Sequence, residues 1–327
     1  MAMITLPVAA HAPSPWLPPS ILRLRSTSTS TTIRAAAAAR SSAPHPLPDE
    51  LHLVADIRSP HNHIRVADVS RTAAGAGHPL AGARLLLLDA PGNIHSLSFP
   101  RSACPLTSTY LDVFATLPPL LPRSCGGASS LAVLGFGAGS AARAVLHFFP
   151  GISVHGWEID PAVISASRDF FGLAELEAEH AARLSIHVGD ALEASADAVA
   201  VPGGFGGVLV DLFAGGSVLP ELQEADTWRR IGRRMVAAGG RVMANCGGPC
   251  VEAEEEGRGG EAVKDATLRA LTAAFGHGMV SVMDVDESWV AMTGPAVSSA
   301  PEEAAAWKAK LPPELRRYVD MWRPCLL

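Results

Sequence analysis

Strand-like apolar runs alternate with helical segments through the middle of the chain. The apolar runs predict five buried strands, at residues 131–134, 152–157, 184–188, 207–210 and 241–244. Apolar residues at helical spacing predict helices at residues 140–149, 161–171, 228–236 and 262–275. Two last strands, at 279–283 and 289–292, flank a polar turn and are therefore expected to pair antiparallel. This alternation predicts an α/β protein with a parallel, Rossmann-like sheet and an antiparallel final strand.

Shorter elements precede and follow this region. Residues 63–68, 84–89 and 94–99 have the alternating pattern of strands, and a helix is predicted over 108–117 before Pro118 and Pro119. We therefore expect an N-terminal β-rich unit over residues 49–105, a Rossmann-like domain over 106–300 and a C-terminal helical tail over 301–327.

The first 48 residues differ from the rest in composition. They contain four arginines and many hydroxyl residues, and no acidic residue occurs before Asp49. Prolines interrupt any continuous apolar run of the kind that a secretory signal needs. The segment is typical of a disordered transit peptide, and we expect the protein to be directed to the chloroplast.

Charge and composition exclude several functional classes. The formal net charge is −6, and removing the four positive charges of the first 48 residues leaves −10, so a nucleic-acid partner is not expected. No apolar stretch approaches the roughly 20 residues of a membrane span. The five cysteines have neither disulfide-framework nor zinc-site spacing, and no metal site is expected.

A glycine loop follows the first predicted strand of the parallel sheet. Gly135, Gly137 and Gly139 occupy alternate positions, and the second strand ends at Glu158 and Ile159. Glycines let the chain turn sharply and bring bare backbone against a ligand, while a carboxylate accepts hydrogen bonds from both ribose hydroxyls. The spacing differs from the Gly-x-Gly-x-x-Gly of NAD sites and resembles the loop of S-adenosylmethionine (AdoMet) enzymes.

Further segments, taken in order, make the chain similar to the spermidine synthase (polyamine aminopropyltransferase) family within the AdoMet-dependent methyltransferase superfamily, as a plant plastid member. They are residues 59–66, 86–89, 109–112, the glycine loop, 158–160, 189–190 and 210–211. The resemblance implies AdoMet or decarboxylated AdoMet as cofactor, a small-molecule acceptor such as an amine, and a possible homodimer.

The resemblance assigns roles to particular residues, each with an alternative. Glu158 would bind the ribose or cap the following helix. Asp190 would accept from the adenine amino group, with the Ala191 amide beside it, or only bond to its own turn. Asp211 would take a proton from the acceptor or orient it, or serve only as part of the donor site. Tyr110 would form a wall of the acceptor pocket or pack in the core.

The chain departs from the family at charged positions. Ala138 and Ala214 occupy positions where aminopropyltransferases have aspartates that hold cationic amines, and Asp112 stands where they have glutamate. Loss of a charge-assisted hydrogen bond costs about 1.5–3 kcal/mol, or roughly ten- to a hundredfold in affinity. The sequence therefore favours methyl transfer to an unknown small acceptor. Aminopropyl transfer and a non-catalytic nucleoside-binding or plastid assembly role stay open as alternatives.

Overall fold

The computed structural model describes residues 24–25, 34–35, 50–73, 78–89, 92–122, 129–194, 201–249, 253–285, 288–296 and 301–326. Most of the predicted transit peptide lies outside these residues. Two two-residue strands within it, β1 (Leu24–Arg25) and β2 (Arg34–Ala35), pair antiparallel. Among the described residues, no helix is both long enough and apolar enough to span a membrane.

An antiparallel sheet of four strands forms the N-terminal unit, with neighbours in chain order. Its strands are β3 (Leu51–Arg58), β4 (His63–Val69), β5 (Arg84–Leu87) and β6 (Ile94–Ser98). One face buries Ile64, Val66 and Leu86 against Val163 and Phe171 of the large domain. The small sheet therefore completes its core by packing against its neighbour, as a sheet of this size requires.

The large sheet has eight strands. The elements of its first part are α1 (Tyr110–Phe114), β7 (Ser129–Leu134), α2 (Ser140–Phe148), β8 (Ile152–Glu158), α3 (Pro161–Phe170), α4 (Leu173–Glu179), β9 (Leu184–Val188), α5 (Ala191–Ala194) and β10 (Phe205–Val210). There follow β11 (Phe213–Ala214), β12 (Ser217–Val218), α6 (Ala225–Arg234), β13 (Val236–Asn245), α7 (Gly260–Phe275), β14 (Val280–Val285), β15 (Ser288–Thr293), α8 (Pro301–Ala309) and β16 (Arg323–Pro324).

The strand order is β16-β14-β15-β13-β10-β7-β8-β9. The five strands from β13 to β9 are parallel, whereas β15 pairs antiparallel with both β13 and β14. The predicted α/β class and the antiparallel end of the sheet are confirmed. Because the order reverses beside β7, the carboxyl ends of β7 and β10 border the crevice where such sheets bind ligands.

The C-terminal tail, which was expected to be helical, contains two separate helices. Helix α8 ends at Ala309, and a separate 3-10 helix covers Pro313–Met321. Pro312 and Pro313 lack the amide hydrogen that a continuing α-helix needs, so the chain breaks there. The indole of Trp307 is buried and donates a 2.8 Å hydrogen bond to the main-chain oxygen of Thr116. The tail is thus attached to the large domain, and β16 then extends the edge of the sheet at β14.

Candidate functional site

A cavity of about 1170 Å³ opens at the carboxyl ends of the parallel strands, and the N-terminal sheet forms its opposite wall. Seven of the residues predicted from the sequence line it together: Gly135, Gly137, Glu158, Ile159, Asp190, Ala191 and Asp211. The other two, Gly139 and Tyr110, are described by the structure and lie outside this lining. Each of the four strands β7, β8, β9 and β10 therefore brings at least one candidate residue to this cavity.

The glycine loop lines the cavity and packs closely against Asp211 and Ser96. A Cβ on Gly135, whose φ is +85°, would lie 2.2 Å from the main-chain oxygen of Asp211. A Cβ on Gly137 would lie 2.7 Å from the hydroxyl oxygen of Ser96. Gly135 therefore has no room for a side chain, and the left-handed φ of +54° favours glycine at position 137. Gly139 has a different place, since it caps helix α2 in the left-handed conformation and faces the ring of Phe136.

Glu158 ends strand β8 with its side chain against the glycine loop. One carboxylate oxygen accepts a 3.0 Å hydrogen bond from the amide of Gly137, and the other accepts one of 3.2 Å from the amide of Asp160. Burial raises the pKa of Glu158, although these two amides act in the opposite direction. The alternative role as helix cap belongs to Asp160, which accepts from the amide of Ala162 at the start of α3.

Asp190 lies at the turn between β9 and α5. Its Oδ1 accepts a 2.7 Å hydrogen bond from the amide of Leu192, so the turn contact considered as its alternative role is present. The residue is exposed and lines the cavity beside Ala191. A carboxylate has several acceptor sites, so this contact leaves capacity for an adenine amino group. The adenine role stays a prediction.

Asp211 is held by two neutral donors from other elements. The hydroxyl of Tyr110 donates to Oδ2 at 2.9 Å, and the side-chain amide of Asn245 donates to Oδ1 at 3.0 Å. Tyr110 is buried and packs edge-on against Phe114. Burial raises the pKa of Tyr110 well above its ordinary value, and the Asp211 carboxylate raises it further. Tyr110 is therefore a neutral donor that positions Asp211, and it does not form a wall of the cavity.

Asn245 was not among the residues singled out from the sequence. It ends strand β13, whose neighbouring Ala244 pairs with Val210 just before Asp211. A polar residue directly after an apolar run, in the strand next to that of Asp211, is the sequence signal that could have found it.

Apart from Asp89, the other charged lining residues separate by sign. Arginines and histidines come from the N-terminal sheet and its turns: Arg58, His61, His63, Arg65 and His95. Glu221 and Glu254 come from the large domain, and the amide of Glu254 donates to the main-chain oxygen of Gly215, four residues after Asp211. Among the described residues, no group of three or more histidine, cysteine or acidic side chains is arranged to hold a metal ion. The cavity therefore presents a cationic wall to an acidic one.

No protein-family profile and no curated protein matches the sequence of this chain. Its fold is similar to that of solved spermidine synthases. The chain has a TM-score of 0.58 with a probable spermidine synthase from Corynebacterium glutamicum ATCC 13032, at 19% identity over 79% of this chain and 86% of that one.

Two further spermidine synthases have the same architecture. The enzyme from Thermotoga maritima has a TM-score of 0.55, at 13% identity over 82% of this chain and 87% of that chain. A spermidine synthase in complex with the transition-state analogue AdoDATO has a TM-score of 0.54, at 12% identity over 81% and 78%. The protein thus has a Rossmann-like α/β fold with an added N-terminal antiparallel sheet. This fold is similar to that of the solved spermidine synthases.

Proposed function

We propose that this protein is an AdoMet-dependent transferase that methylates a small amine. The observation that carries the proposal is the common cavity, in which Gly137, Glu158 and Asp190 stand on one side and Asp211 on the other. These groups suit the ribose and adenine of a nucleoside on one side and a reacting amine on the other. The fold is shared with spermidine synthases, one of them in complex with AdoDATO.

The donor side offers polar groups that suit an AdoMet molecule. Gly135 and Gly137 have no side chains between the cavity and the main chain, and Glu158 offers acceptor oxygens at the tip of β8. When bound, AdoMet supplies a methyl carbon activated by a neighbouring sulfonium. Positioning of the acceptor in line with that carbon is the main contribution that the protein has to make.

The acceptor side suits a cation. Tyr110 and Asn245 hold the Asp211 carboxylate in one orientation, and Glu221 and Glu254 add negative charge to the same cavity. An amine arrives as an ammonium, which these groups attract, and it must lose one proton, to Asp211 or to water, before its nitrogen can react. The nitrogen lone pair then forms the new C–N bond as the C–S bond breaks and its electron pair stays on sulfur. A second proton leaves the product nitrogen to Asp211 or to water.

Aminopropyl transfer from decarboxylated AdoMet is a second candidate. It is supported by the likeness of fold to spermidine synthases and by Glu221 and Glu254, which supply carboxylates that the sequence analysis did not anticipate. The donor side is less favourable to it. Ala138 is buried, and its amide donates to the hydroxyl oxygen of Ser96, so this position offers no carboxylate for the amine of the donor.

Calorimetry on the full chain tests the donor site. AdoMet and S-adenosylhomocysteine should each bind, and Glu158→Gln should weaken both by about ten- to a hundredfold. Glu261→Gln, an exposed acid on α7, is the matched control and should bind as the wild type does. Absence of binding by every adenosine compound would leave only a non-catalytic assembly role.

Transfer is tested with AdoMet labelled in its methyl group. Incubation with a panel of small amines, including putrescine, should yield a labelled amine, and Asp211→Asn should reduce the yield while donor binding persists. Aminopropyl transfer would instead appear as a product formed from decarboxylated AdoMet and putrescine.

We further propose that residues 1–48 direct the protein to the chloroplast, on the basis of their arginine-rich, acid-free composition. A fluorescent protein fused to these residues should enter plastids. Retention in the cytosol would contradict this proposal and leave the proposed chemistry unaffected.

A further inference from the structure

The cationic wall of the cavity is built from one part of the molecule. All arginine and histidine residues among the described lining come from the N-terminal sheet, and they are Arg58, His61, His63, Arg65 and His95. The described acids of the lining come from the large domain with one exception, Asp89. The cavity is therefore polarised across its width, which suits a ligand with a negative group at one end and a positive group at the other.

Asp89 does not cancel this wall by direct pairing with Arg65. Its carboxylate accepts hydrogen bonds from the amides of Gly92 and Asn93, from the Asn93 side chain and from His95. Burial by itself raises the pKa of Asp89, but the contacts with His95 and Asn93 outweigh it and lower that pKa. The Arg65 guanidinium donates a hydrogen bond to the main-chain oxygen of Asp89. Asp89 thus acts as a connector that holds Arg65 and His95 in place.

Arg65 is the buried member of the wall. It is 4% exposed and lines the cavity. Burial lowers the pKa of its guanidinium, with the acidic neighbours Asp89 and Asp56 acting in the opposite direction. A guanidinium is matched in geometry to a carboxylate, with which it forms paired hydrogen bonds, and such bonds gain strength where water is excluded.

The wall stands over the donor half of the cavity. Ser96, next to His95, accepts a 3.0 Å hydrogen bond from the amide of Ala138 in the glycine loop. The side-chain amide of Asn62, between His61 and His63, donates a 2.7 Å hydrogen bond to Asp160, two residues after Glu158. These contacts fix the N-terminal sheet against the glycine loop and the tip of β8, whereas Asp211 is held by Tyr110 and Asn245.

We propose that this wall binds the carboxylate of the donor, and that the site thereby selects AdoMet over its decarboxylated form. The inference rests on the proposed function and deepens it, since it assigns Arg65 and Arg58, with the adjacent histidines as further N–H donors, to one group of the ligand. It leaves the acidic side, with Asp211, Glu221 and Glu254, to a cationic acceptor. A donor without the carboxylate would not form these charge-assisted hydrogen bonds.

The test needs no turnover. Titration of the full chain with AdoMet, decarboxylated AdoMet and 5′-methylthioadenosine gives three affinities, and AdoMet should bind at least about tenfold more tightly than its decarboxylated form. In Arg65→Met and in Arg58→Gln this preference should fall towards unity, while the affinity for 5′-methylthioadenosine, which has no amino-acid group, stays as in the wild type. Arg58 is exposed, so its variant keeps the test decisive if Arg65→Met does not fold.

Arg229→Gln is the matched control, because Arg229 is an exposed arginine paired with Asp226 on α6, away from the cavity. It should retain the full preference. Equal affinity of the wild type for the two donors overturns the carboxylate site, and so does a preference that survives in both cavity variants. Binding of 5′-methylthioadenosine in either case shows that the nucleoside site stands; absence of binding by all three compounds instead overturns the proposed function itself.

Discussion

The hydroxyl of Tyr110 lies 2.9 Å from the carboxylate of Asp211, although 101 residues separate them in the chain. Asp211 lines the cavity, whereas Tyr110 is 1% exposed and its hydroxyl reaches the carboxylate from inside the protein. Asn245 holds the other carboxylate oxygen. One buried phenol and one amide thus determine the direction in which the candidate catalytic group faces the acceptor side.

Removing that hydroxyl should separate stability from donor binding. Tyr110→Phe loses a hydrogen bond to a charged group, and we expect the free energy of unfolding to fall by about 1.5–3 kcal/mol. Urea denaturation measures this change. Affinity for S-adenosylhomocysteine should stay unchanged, because the contacts of Tyr110 lie on the side of Asp211. Tyr318→Phe, which alters the other tyrosine of the chain, is the control for the Asp211 contact. Weaker donor binding in Tyr110→Phe alone would contradict this separation.

Nucleoside binding should depend on pH through Glu158. Burial raises the pKa of this residue in the free protein, while ribose hydroxyls donate to its ionised form. Affinity for 5′-methylthioadenosine should therefore weaken as pH falls through the mildly acidic range and level off towards neutral pH. Calorimetry in buffers of different ionisation enthalpy should also detect proton release on binding.

Glutamine cannot ionise. The Glu158→Gln variant should therefore bind 5′-methylthioadenosine weakly, with an affinity that does not change over this pH range. 5′-Methylthioadenosine has no carboxylate. The histidines proposed to bind the donor carboxylate therefore do not affect its affinity. A wild-type affinity that stays constant across the same pH range would exclude Glu158 as the ribose acceptor.

Gly135→Ala should disrupt the junction between the glycine loop and β10. The added Cβ would meet the main-chain oxygen of Asp211 at 2.2 Å, and a φ of +85° is unfavourable for alanine. We expect a loss of more than about 2 kcal/mol in unfolding free energy. Gly151→Ala is the matched control, because a Cβ there meets no atom within 4 Å. Similar stabilities of the two variants would show that the loop relaxes freely.

Acid should destabilise the protein through His78. Burial lowers the pKa of His78 from 6.5 to about 4, and its Nδ1 accepts a hydrogen bond from the amide of Leu80. As pH falls from 6.5 towards 4, the unfolded chain takes up a proton that the folded protein excludes. Stability should therefore decrease over this window, by about 3 kcal/mol from this residue.

His78→Asn keeps an acceptor near the position of Nδ1 and cannot titrate. Denaturant unfolding across the window should show a shallower loss of stability in this variant than in the wild type. His52→Asn, which replaces an exposed histidine on strand β3, serves as the control. An unchanged slope in His78→Asn would mean that other groups carry the acid sensitivity.

The order of elements in the large domain was predictable because its signals are local. Strand β9 has the bounds that its apolar run predicts, and Pro161 and Gly172 mark the limits of α3 as helix-start and helix-stop residues do. Strand β16 was not predictable, since two residues with a proline show no periodicity. It forms because the edge of β14 is there to pair with it.

The amino-acid sequence by itself determined the fold class, the glycine loop and the acids at the strand tips, because each depends on neighbours within a few residues. Only the tertiary structure decided that Tyr110 and Asn245 hold Asp211, that Gly139 caps a helix, and that Arg65 reaches the same cavity as Glu158. Those relationships join elements far apart in the chain. They arise from the packing of the N-terminal sheet over the crevice, and no periodicity in the sequence records which face of one unit meets which edge of another.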